Sequence, residues 1–340
     1  MKEDVAISHL STNLTSFEMA SLWNVYLMET MVHHMFKYFL QHLDDPDIKA
    51  LVNTCHSLAK KHMELYLTIF NKEGFPIPRE TQIEDVNLDA PRLFSDIYYT
   101  NFIKNVAKFA LITYTTAFTE VTRDDIKNHF KDMADNLKEI ELTTTDLMLS
   151  KGLYTRPPNV PIPNSVEFVN NDNFFGNFFD SKRPLSAQEI TQIFTIAEGN
   201  ALGKATNMAF SQIAGDKQVR DYFLKGKETA HKNVKLFNDL LLEADIPTVK
   251  TYDGEITEST VSPFSDRLML FQVSLVGTAG IGNYGLAVAQ SQRKDVGLAF
   301  LRLFGEAIEY ASEGAKLMVE KGWMEQSPLA SDRDNLIKKK

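Results

Sequence analysis

The sequence has very little cysteine: Cys55 is the only one among 340 residues. A single thiol cannot form a disulfide within the chain, so the fold must be stable without one, and a reducing compartment fits this composition. The chain begins with MKEDVAISHLST, which lacks the apolar core of a secretory signal peptide. Both features predict a cytoplasmic protein.

Clusters of positive charge are also scarce. The net charge is −9, and the one basic run consists of the last three residues, 338–340. Nucleic acids and anionic membranes carry dense negative charge, so an acidic protein is repelled by both. The composition therefore predicts neither nucleic-acid binding nor nonspecific attachment to a membrane surface.

What the sequence does contain is an internal repeat with an offset of 170 or 171 residues. Its clearest matches are LMLSKGLY (147–154) with LMVEKGWM (317–324), FSD (94–96) with FSD (264–266), and Asp45 with Asp216. The offset changes by one residue between positions 76 and 94, which predicts a loop there, because loops absorb such insertions. The period is far longer than that of solenoid repeats, so the pattern indicates a duplicated domain.

Each half predicts four α-helices, because apolar residues recur at helical spacing between Gly, Pro and acidic interruptions. Short links join the first helix to the second and the third to the fourth, so each pair should form an antiparallel hairpin. About twenty residues, 73–93 and 245–263, separate the second helix from the third. A link of that length can run along a whole bundle. The sequence therefore predicts an all-α protein of two tandem ferritin-like four-helix bundles, each with a long crossover between its second and third helices.

The predicted organisation has four parts. They are a first four-helix bundle (1–154), a Pro/Phe-rich linker strap (155–185), a second four-helix bundle (186–326) and a polar C-terminal tail (327–340). The strap contains four prolines between positions 157 and 163 and four phenylalanines between positions 174 and 179. Because phenylalanine side chains are unfavourable in water, we expect the strap to pack on a bundle surface.

The most apolar run, residues 268–289, aligns with the third helix of the first half, which carries Lys104. A membrane span is therefore not expected, and a helix buried on more than one side is. Its glycines, including Gly277, Gly280 and Gly285, would let another helix approach closely. We expect this helix at the contact between the two bundles or between subunits.

The hexapeptide GIGNYG at 280–285 matches the dinucleotide fingerprint G-x-G-x-x-G. That fingerprint works at a turn from a strand into a helix, where the glycines let a pyrophosphate approach the helix N-terminus. Here the aligned residues of the first half, ALITYT at 110–115, lie within a predicted helix. No nucleotide cofactor is predicted.

Metal ligands are the more specific candidates for a functional site, because di-iron bundles project Glu and Glu-x-x-His side chains into the bundle core. In the first half Glu29 and His33 lie one helical turn apart, and folding the first hairpin brings His56 level with His33. Carboxylate and imidazole ligands suit iron, zinc or manganese. His62 lies on an apolar stripe, where a hydrogen-bonded core histidine is the simpler interpretation.

The second half offers a different set. Glu198 lies on a core stripe of the first helix, and Glu228 and His231 form a Glu-x-x-His motif on the second. The third helix has no acidic residue between Asp266 and Asp295, and the fourth has no histidine, so the set is incomplete. A solvated pair is the simpler interpretation of Glu228 and His231. The sequence thus predicts no cofactor, with iron, manganese or zinc as the alternative.

The paired FSD helix starts and the L-M-x-x-K-G helix ends resemble an uncharacterised family of duplicated ferritin-like bundles from spore-forming Gram-positive bacteria, related to spore coat protein F. The resemblance covers nearly the whole chain, and its motifs are structural. It implies a ferritin-like fold with incomplete metal ligands, and a cytoplasmic or spore-associated protein. Its implied partners are further copies of the chain or spore coat proteins.

Two functional hypotheses follow. The first is a non-enzymatic structural or interaction protein associated with the spore coat, favoured by the acidic surface, the duplicated bundles and the incomplete ligand sets. The alternative is a metal-binding ferritin-like protein of the di-iron redox or storage type with degenerate ligand sets. No arrangement of nucleophile and base stands out, so the sequence predicts no catalytic residue.

Overall fold

The structure is a computed structural model that describes residues 12–79, 81–176 and 182–338. Within these ranges the regular elements are nine α-helices and three short 3-10 turns. The extended pairings in the same ranges are two isolated antiparallel bridges. The predicted all-α class is confirmed.

The helices fall into two groups of four, which we call the first unit and the second unit. The first unit contains α1 (Ser16–His42), α2 (Pro46–Glu73), α3 (Asp96–Glu120) and α4 (Asp124–Ser150). The second unit contains α5 (Ala187–Ile213), α6 (Lys217–Leu242), α7 (Asp266–Gln290) and α8 (Lys294–Glu320), and α9 (Arg333–Lys338) follows in the tail. Corresponding helices begin 170 or 171 residues apart, as the repeat predicts.

The repeated sequence motifs are helix caps. The serines of the two FSD motifs, Ser95 and Ser265, are the N-caps of α3 and α7, and each hydroxyl accepts a backbone N–H from the first turn. The Lys-Gly pairs of the other motif end α4 and α8, where Gly152 and Gly322 have φ of 68° and 69°. Glycine adopts this left-handed conformation without steric cost, which explains why both phrases carry a glycine at the helix end.

One hydrophobic cluster spans the two units. It includes Phe39 and Phe94 from the first unit and Phe210 and Phe264 from the second. Aromatic rings meet across the boundary, with centroids 6.5 Å apart for Phe94 and Phe210. The main helix contacts between the units are α3 with α5 and α1 with α7. A second cluster, which includes Tyr26, lies within the first unit.

The two crossover segments pair with each other, and we call this pairing the crossover clasp. Its bridges join Val86 to Phe264 and Phe94 to Ile256. Four backbone hydrogen bonds accompany the bridges: Asn87 N to Pro263 O (2.8 Å), Thr257 N to Leu93 O (2.9 Å), Ser95 N to Glu255 O (2.9 Å) and Ser265 N to Asp85 O (2.8 Å). Each bond in one direction has a counterpart at the repeat offset in the other, so the clasp is pseudo-symmetric.

Side chains reinforce the clasp at the starts of α3 and α7. The Ser265 hydroxyl donates to Asp85 Oδ1 at 2.6 Å, and the Ser95 hydroxyl donates to the Glu255 carboxylate. Arg267 donates to the same Asp85 carboxylate. Each acidic side chain comes from one crossover and meets the helix N-cap of the other unit, where a negative charge is also favoured by the helix dipole.

The helix α7 differs from the expectation based on its glycines. A side-chain carbon built at Gly277, Gly280 or Gly282 would meet no heavy atom within 4 Å, and at Gly285 it would meet only Phe304 at 3.8 Å. The expected glycine contact between the units is therefore wrong, and the alternative, a contact between subunits, stays a prediction. The cause is that α7 packs against the first unit through its first turns, where Leu268 is buried. Among the described residues, no helix is long and apolar enough to cross a membrane.

The linker strap also differs from expectation. Residues 159–173 are exposed throughout, and Ile162 and Val166 are 92% and 86% exposed. Phe174 packs under the guanidinium of Arg183, 4.2 Å from its ring centroid. Phe178 and Phe179 lie outside the described residues. Packing of the strap on a bundle surface is thus wrong for residues 159–173, where few apolar residues stand among Asn, Pro, Ser, Glu and Asp, and even the adjacent Phe168 and Val169 are exposed.

Candidate functional site

The centre of the first unit holds a polar cluster of Glu29, His62 and Tyr114, one residue each from α1, α2 and α3, and all three are buried. His62 Nδ1 lies 3.0 Å from Glu29 Oε1, and the Tyr114 hydroxyl donates to the same oxygen. In the tautomer with its proton on Nδ1, His62 donates to the carboxylate as well. The cluster joins three helices through one carboxylate.

Burial controls the protonation of the hydroxyl and thiol groups around Glu29. It raises the pKa of Tyr114 and of Tyr66 well above the usual tyrosine value, and the negative charge of Glu29 raises both further. It also raises the pKa of the Cys55 thiol to about 12. Near neutral pH these groups remain protonated, so the phenols act as hydrogen-bond donors and Cys55 is a poor nucleophile.

A cavity of about 50 Å³ lies beside the cluster. Its polar lining is Glu29, His62 and Tyr114, and most of the remaining wall is apolar, including Val32 and Phe36. Sites for organic ligands typically measure about 300–1,000 Å³, whereas about 10–15 Å³ is enough to hold one water. The cavity therefore has room for a few waters or an ion and is smaller than a typical site for an organic ligand.

The second unit carries a neutral version of the same cluster at the equivalent positions, Asn200, Asn233 and Tyr284. Asn233 Nδ2 donates to Asn200 Oδ1 at 3.1 Å, and Asn200 Nδ2 donates to the Tyr284 hydroxyl at 2.9 Å. Burial raises the pKa of Tyr284 to about 12, so this hydroxyl also stays protonated. Both units thus join their first three helices through a hydrogen-bonded trio that ends in a buried tyrosine.

The structure brings together two of the three ligands predicted in the first unit. The rings of His33 and His56 stack with centroids 4.4 Å apart. Burial, followed by the positive charge that His56 can carry, lowers the pKa of His33 to about 4. The carboxylate of Glu29 is engaged by His62 and Tyr114 instead of this histidine pair.

The residues predicted in the second unit are separated. Glu198 forms an ion pair with Lys104 of the first unit, with Nζ 3.5 Å from the carboxylate. Glu228 and His231 are exposed and line a surface depression with Lys204. Throughout the described ranges, no three His, Cys, Asp or Glu side chains are grouped so that they could hold a metal ion.

Comparison with known proteins identifies the family. The sequence model of the family described as "Protein of unknown function (DUF3231)" matches residues 6–166 and again residues 173–336. The chain belongs to this family. The double match supports the duplication.

The structural comparison finds a crystal structure from Bacillus halodurans C-125, described as a "putative spore coat protein". It shares 17% sequence identity with this DUF3231 protein and has a TM-score of 0.40. The alignment covers 45% of this chain and 99% of that one. A search of curated protein sequences finds no match.

Sequence reasoning on this DUF3231 chain missed the partners of Glu29. The signal was present in the repeat, because Glu29 and His62 align with Asn200 and Asn233 on apolar stripes, so both halves place a polar pair in the core. Tyr114 and Tyr284 are identical residues at the repeat offset. A polar pair that recurs in both halves predicts a mutual hydrogen bond, since buried polar groups are paired.

Proposed function

We propose that this chain is a non-enzymatic structural or interaction protein built on two tandem ferritin-like four-helix bundles. The crossover that links α2 to α3 and the one that links α6 to α7 support the ferritin-like topology. The resemblance noted in the sequence supports a cytoplasmic or spore-associated location, with further copies of the chain or spore coat proteins as partners.

The observation that carries this proposal is the hydrogen bonding at the centre of each unit. A ligand-binding bundle directs its core carboxylates and imidazoles toward the ligand. In this chain Glu29 is contacted by its own neighbours His62 and Tyr114, and Asn200 forms the matching contacts with Asn233 and Tyr284. The polar core groups serve to join helices, and the neutral set in the second unit needs no charge to do so.

Substitution of Glu29 tests this role. Glu29→Gln keeps an oxygen acceptor for His62 and Tyr114, and the amide oxygen of Asn200 likewise accepts from Asn233 in the second unit. We therefore expect the free energy of unfolding to change by less than about 1 kcal/mol. Glu29→Ala leaves two buried groups without an acceptor and should cost about 1–3 kcal/mol. Chemical denaturation measures both values. A Glu29→Gln variant as unstable as Glu29→Ala would show that the charge itself is required and would contradict the proposal.

Metal binding is the second candidate function, favoured by a specific observation in the first unit. The ring nitrogens His33 Nδ1, His56 Nε2, His62 Nε2 and His129 Nε2 are buried and form no hydrogen bond within the described part of the protein. Buried imidazole nitrogens are normally paired, and they are also ligands for zinc, iron and manganese. His33 and His56 with Glu29 are the proposed ligands, and Glu198, Glu228 and His231 are the proposed set in the second unit.

Elemental analysis decides between the two candidates. We expect protein that is purified without added metal and then dialysed to contain much less than one equivalent of iron, manganese or zinc. Near-stoichiometric metal would contradict the structural proposal. Loss of that metal in His56→Ala, with retention in the matched variant His231→Ala, would then place the site in the first unit, and the opposite pattern would place it in the second.

A further inference from the structure

The outer face of α8 carries an apolar seam. Residues spaced alternately by three and four positions lie opposite the buried side of this helix: Leu298, Leu301, Gly305, Ile308, Ser312, Ala315 and Val319. The large members are exposed, at 47% for Leu298, 51% for Leu301, 45% for Ile308 and 62% for Val319. Alternating three- and four-residue spacing is that of a helix that packs along another helix.

The first unit shows that the fold does not require these residues. At the positions of α4 equivalent to the first four seam residues stand Asn128, Lys131, Asp135 and Lys138, and the remaining three positions hold Leu142, Thr145 and Leu149. Lys131 Nζ lies 3.2 Å from one Asp135 oxygen, and Lys138 Nζ lies 2.8 Å from the other. One unit therefore has a solvated ion-pair ladder where the other has four apolar or small residues. An exposed apolar row that the fold does not need indicates an interaction surface.

The neighbouring helix α7 also carries exposed apolar residues. Val276 and Leu286 are 46% and 50% exposed. Gly277 and Gly282 of the same helix have open space where a side chain would be. The principal contacts between the units use α1, α3, α5 and α7, so the seam of α8 remains uncovered by the first unit.

We propose that the α8 seam binds the same seam of a second copy of this chain, in an antiparallel homodimer with its twofold axis between residues 306 and 307. This register pairs a large residue with a small one in every central layer. Leu298 meets Ala315 of the second copy, Leu301 meets Ser312, and Gly305 meets Ile308. Self-complementarity is what a twofold interface requires, because each patch faces its own copy.

Charges beside the seam fit the same register. Arg302 and Glu309 lie next to the seam on one side, and the twofold axis places Arg302 of each copy near Glu309 of the other, giving two ion pairs. Within one chain Arg302 Nε lies 3.5 Å from Glu306, at an exposed position. Antiparallel helix pairs are selected by such flanking charges, whereas a parallel pairing of this seam would place Leu298 against Leu298 and leave Gly305 against Gly305.

The first test measures the mass of the full-length protein in solution as a function of concentration, by sedimentation. We expect a monomer–dimer equilibrium. Leu301→Lys with Ile308→Lys installs the residues of the first unit and should raise the dissociation constant by at least about 100-fold, since buried anchors dominate interface energy. Lys131→Ala with Lys138→Ala in α4 is the matched control and should leave it unchanged. The proposal is overturned if the wild-type protein stays monomeric over a 100-fold range of concentration that reaches its solubility limit.

The second test concerns orientation. Arg302→Glu should weaken the dimer, and adding Glu309→Arg should restore it, because the pair is exchanged across the axis. Under oxidation, Leu298→Cys with Ala315→Cys should link two chains covalently, whereas Leu298→Cys alone should not, with wild type as the control for Cys55. Linking by Leu298→Cys alone, or no rescue by the charge exchange, rejects the antiparallel register.

Discussion

Replacing Glu189 with alanine is expected to lower the free energy of unfolding by about 3–5 kcal/mol, the cost of breaking a buried ion pair. Glu189 lies in the first turn of α5 and is almost fully buried. Arg183 donates to both carboxylate oxygens at 2.8 and 2.9 Å. The backbone N–H groups of Ser186 and Arg293 each donate at 2.8 Å. One carboxylate thus joins the start of α5, the start of α8 and the end of the linker.

The equivalent residue of the first unit provides the comparison. Glu18 accepts the backbone N–H of Thr15 at 2.7 Å and those of Thr122 and Arg123 at 3.0 Å. Thr12 stands at the position that corresponds to Arg183, so no guanidinium comes from that position to Glu18. Glu18→Ala should therefore cost about 1–3 kcal/mol, the cost of unsatisfied buried donors. Urea denaturation of both variants measures the difference. Equal losses would show that Arg183 adds nothing to the cap.

Acid should destabilise the protein through its buried histidines before its carboxylates titrate. Burial, with an additional effect of a neighbouring histidine, lowers the pKa of His33 and of His129 to about 4. The unfolded chain binds these protons at about pH 6.5. Between pH 6.5 and 4 the unfolded state therefore holds more protons than the folded state. Stability is complete above pH 6.5 and falls by about 3 kcal/mol per histidine as the pH approaches 4.

Carboxylates affect the stability of the protein in a lower pH range. Burial alone would raise the pKa of Glu189, but Arg183 and the two backbone donors outweigh it and lower the pKa to about 2. Its contribution is present above the unfolded value near 4.5 and is lost as the pH falls through 2. Loss of stability between pH 6.5 and 4.5 thus reports the histidines.

The pH prediction can be checked by urea denaturation at a series of pH values. His129→Gln should flatten the dependence between pH 6.5 and 4.5, because it removes one of the buried histidines; burial also lowers the pKa of His42 and of His56, so part of the dependence should remain. His231→Gln, at an exposed position, is the matched control and should leave the profile unchanged. An identical slope in His129→Gln and wild type would show that His129 is not neutral in the folded protein.

Local features of the fold could be predicted from the sequence because short motifs determine them. Ser95, Ser265, Gly152 and Gly322 terminate helices through their own hydrogen bonds and φ angles, so the sequence alone indicates the boundaries. The apolar periodicity likewise gave the class of the fold. The long crossover could be predicted because about twenty residues separate the second helix from the third in each half, which is enough to run along a whole bundle.

Features that depend on side-chain geometry could not be predicted. Glu29 lies one turn from His33 and was expected to join it, yet its carboxylate meets His62. Periodicity shows which residues share a face and does not show which rotamer each adopts. The prediction that the glycines of α7 contact the other unit failed for a related reason. An apolar helix can be covered by its own chain or by another molecule, and a single sequence does not distinguish these two cases.

The crossover clasp has a consequence for the origin of the chain. Since every backbone bond of the clasp has its counterpart at the repeat offset, two separate copies of one unit could make the same backbone contacts as a symmetric pair. Fusion turns that encounter into an intramolecular event, with an effective concentration that reaches the millimolar range for short flexible connections. The paired fold then persists at any dilution. Each copy is then free to change alone, so that one unit can carry Glu29 and an ion-pair ladder while the other carries Asn200 and an apolar outer face.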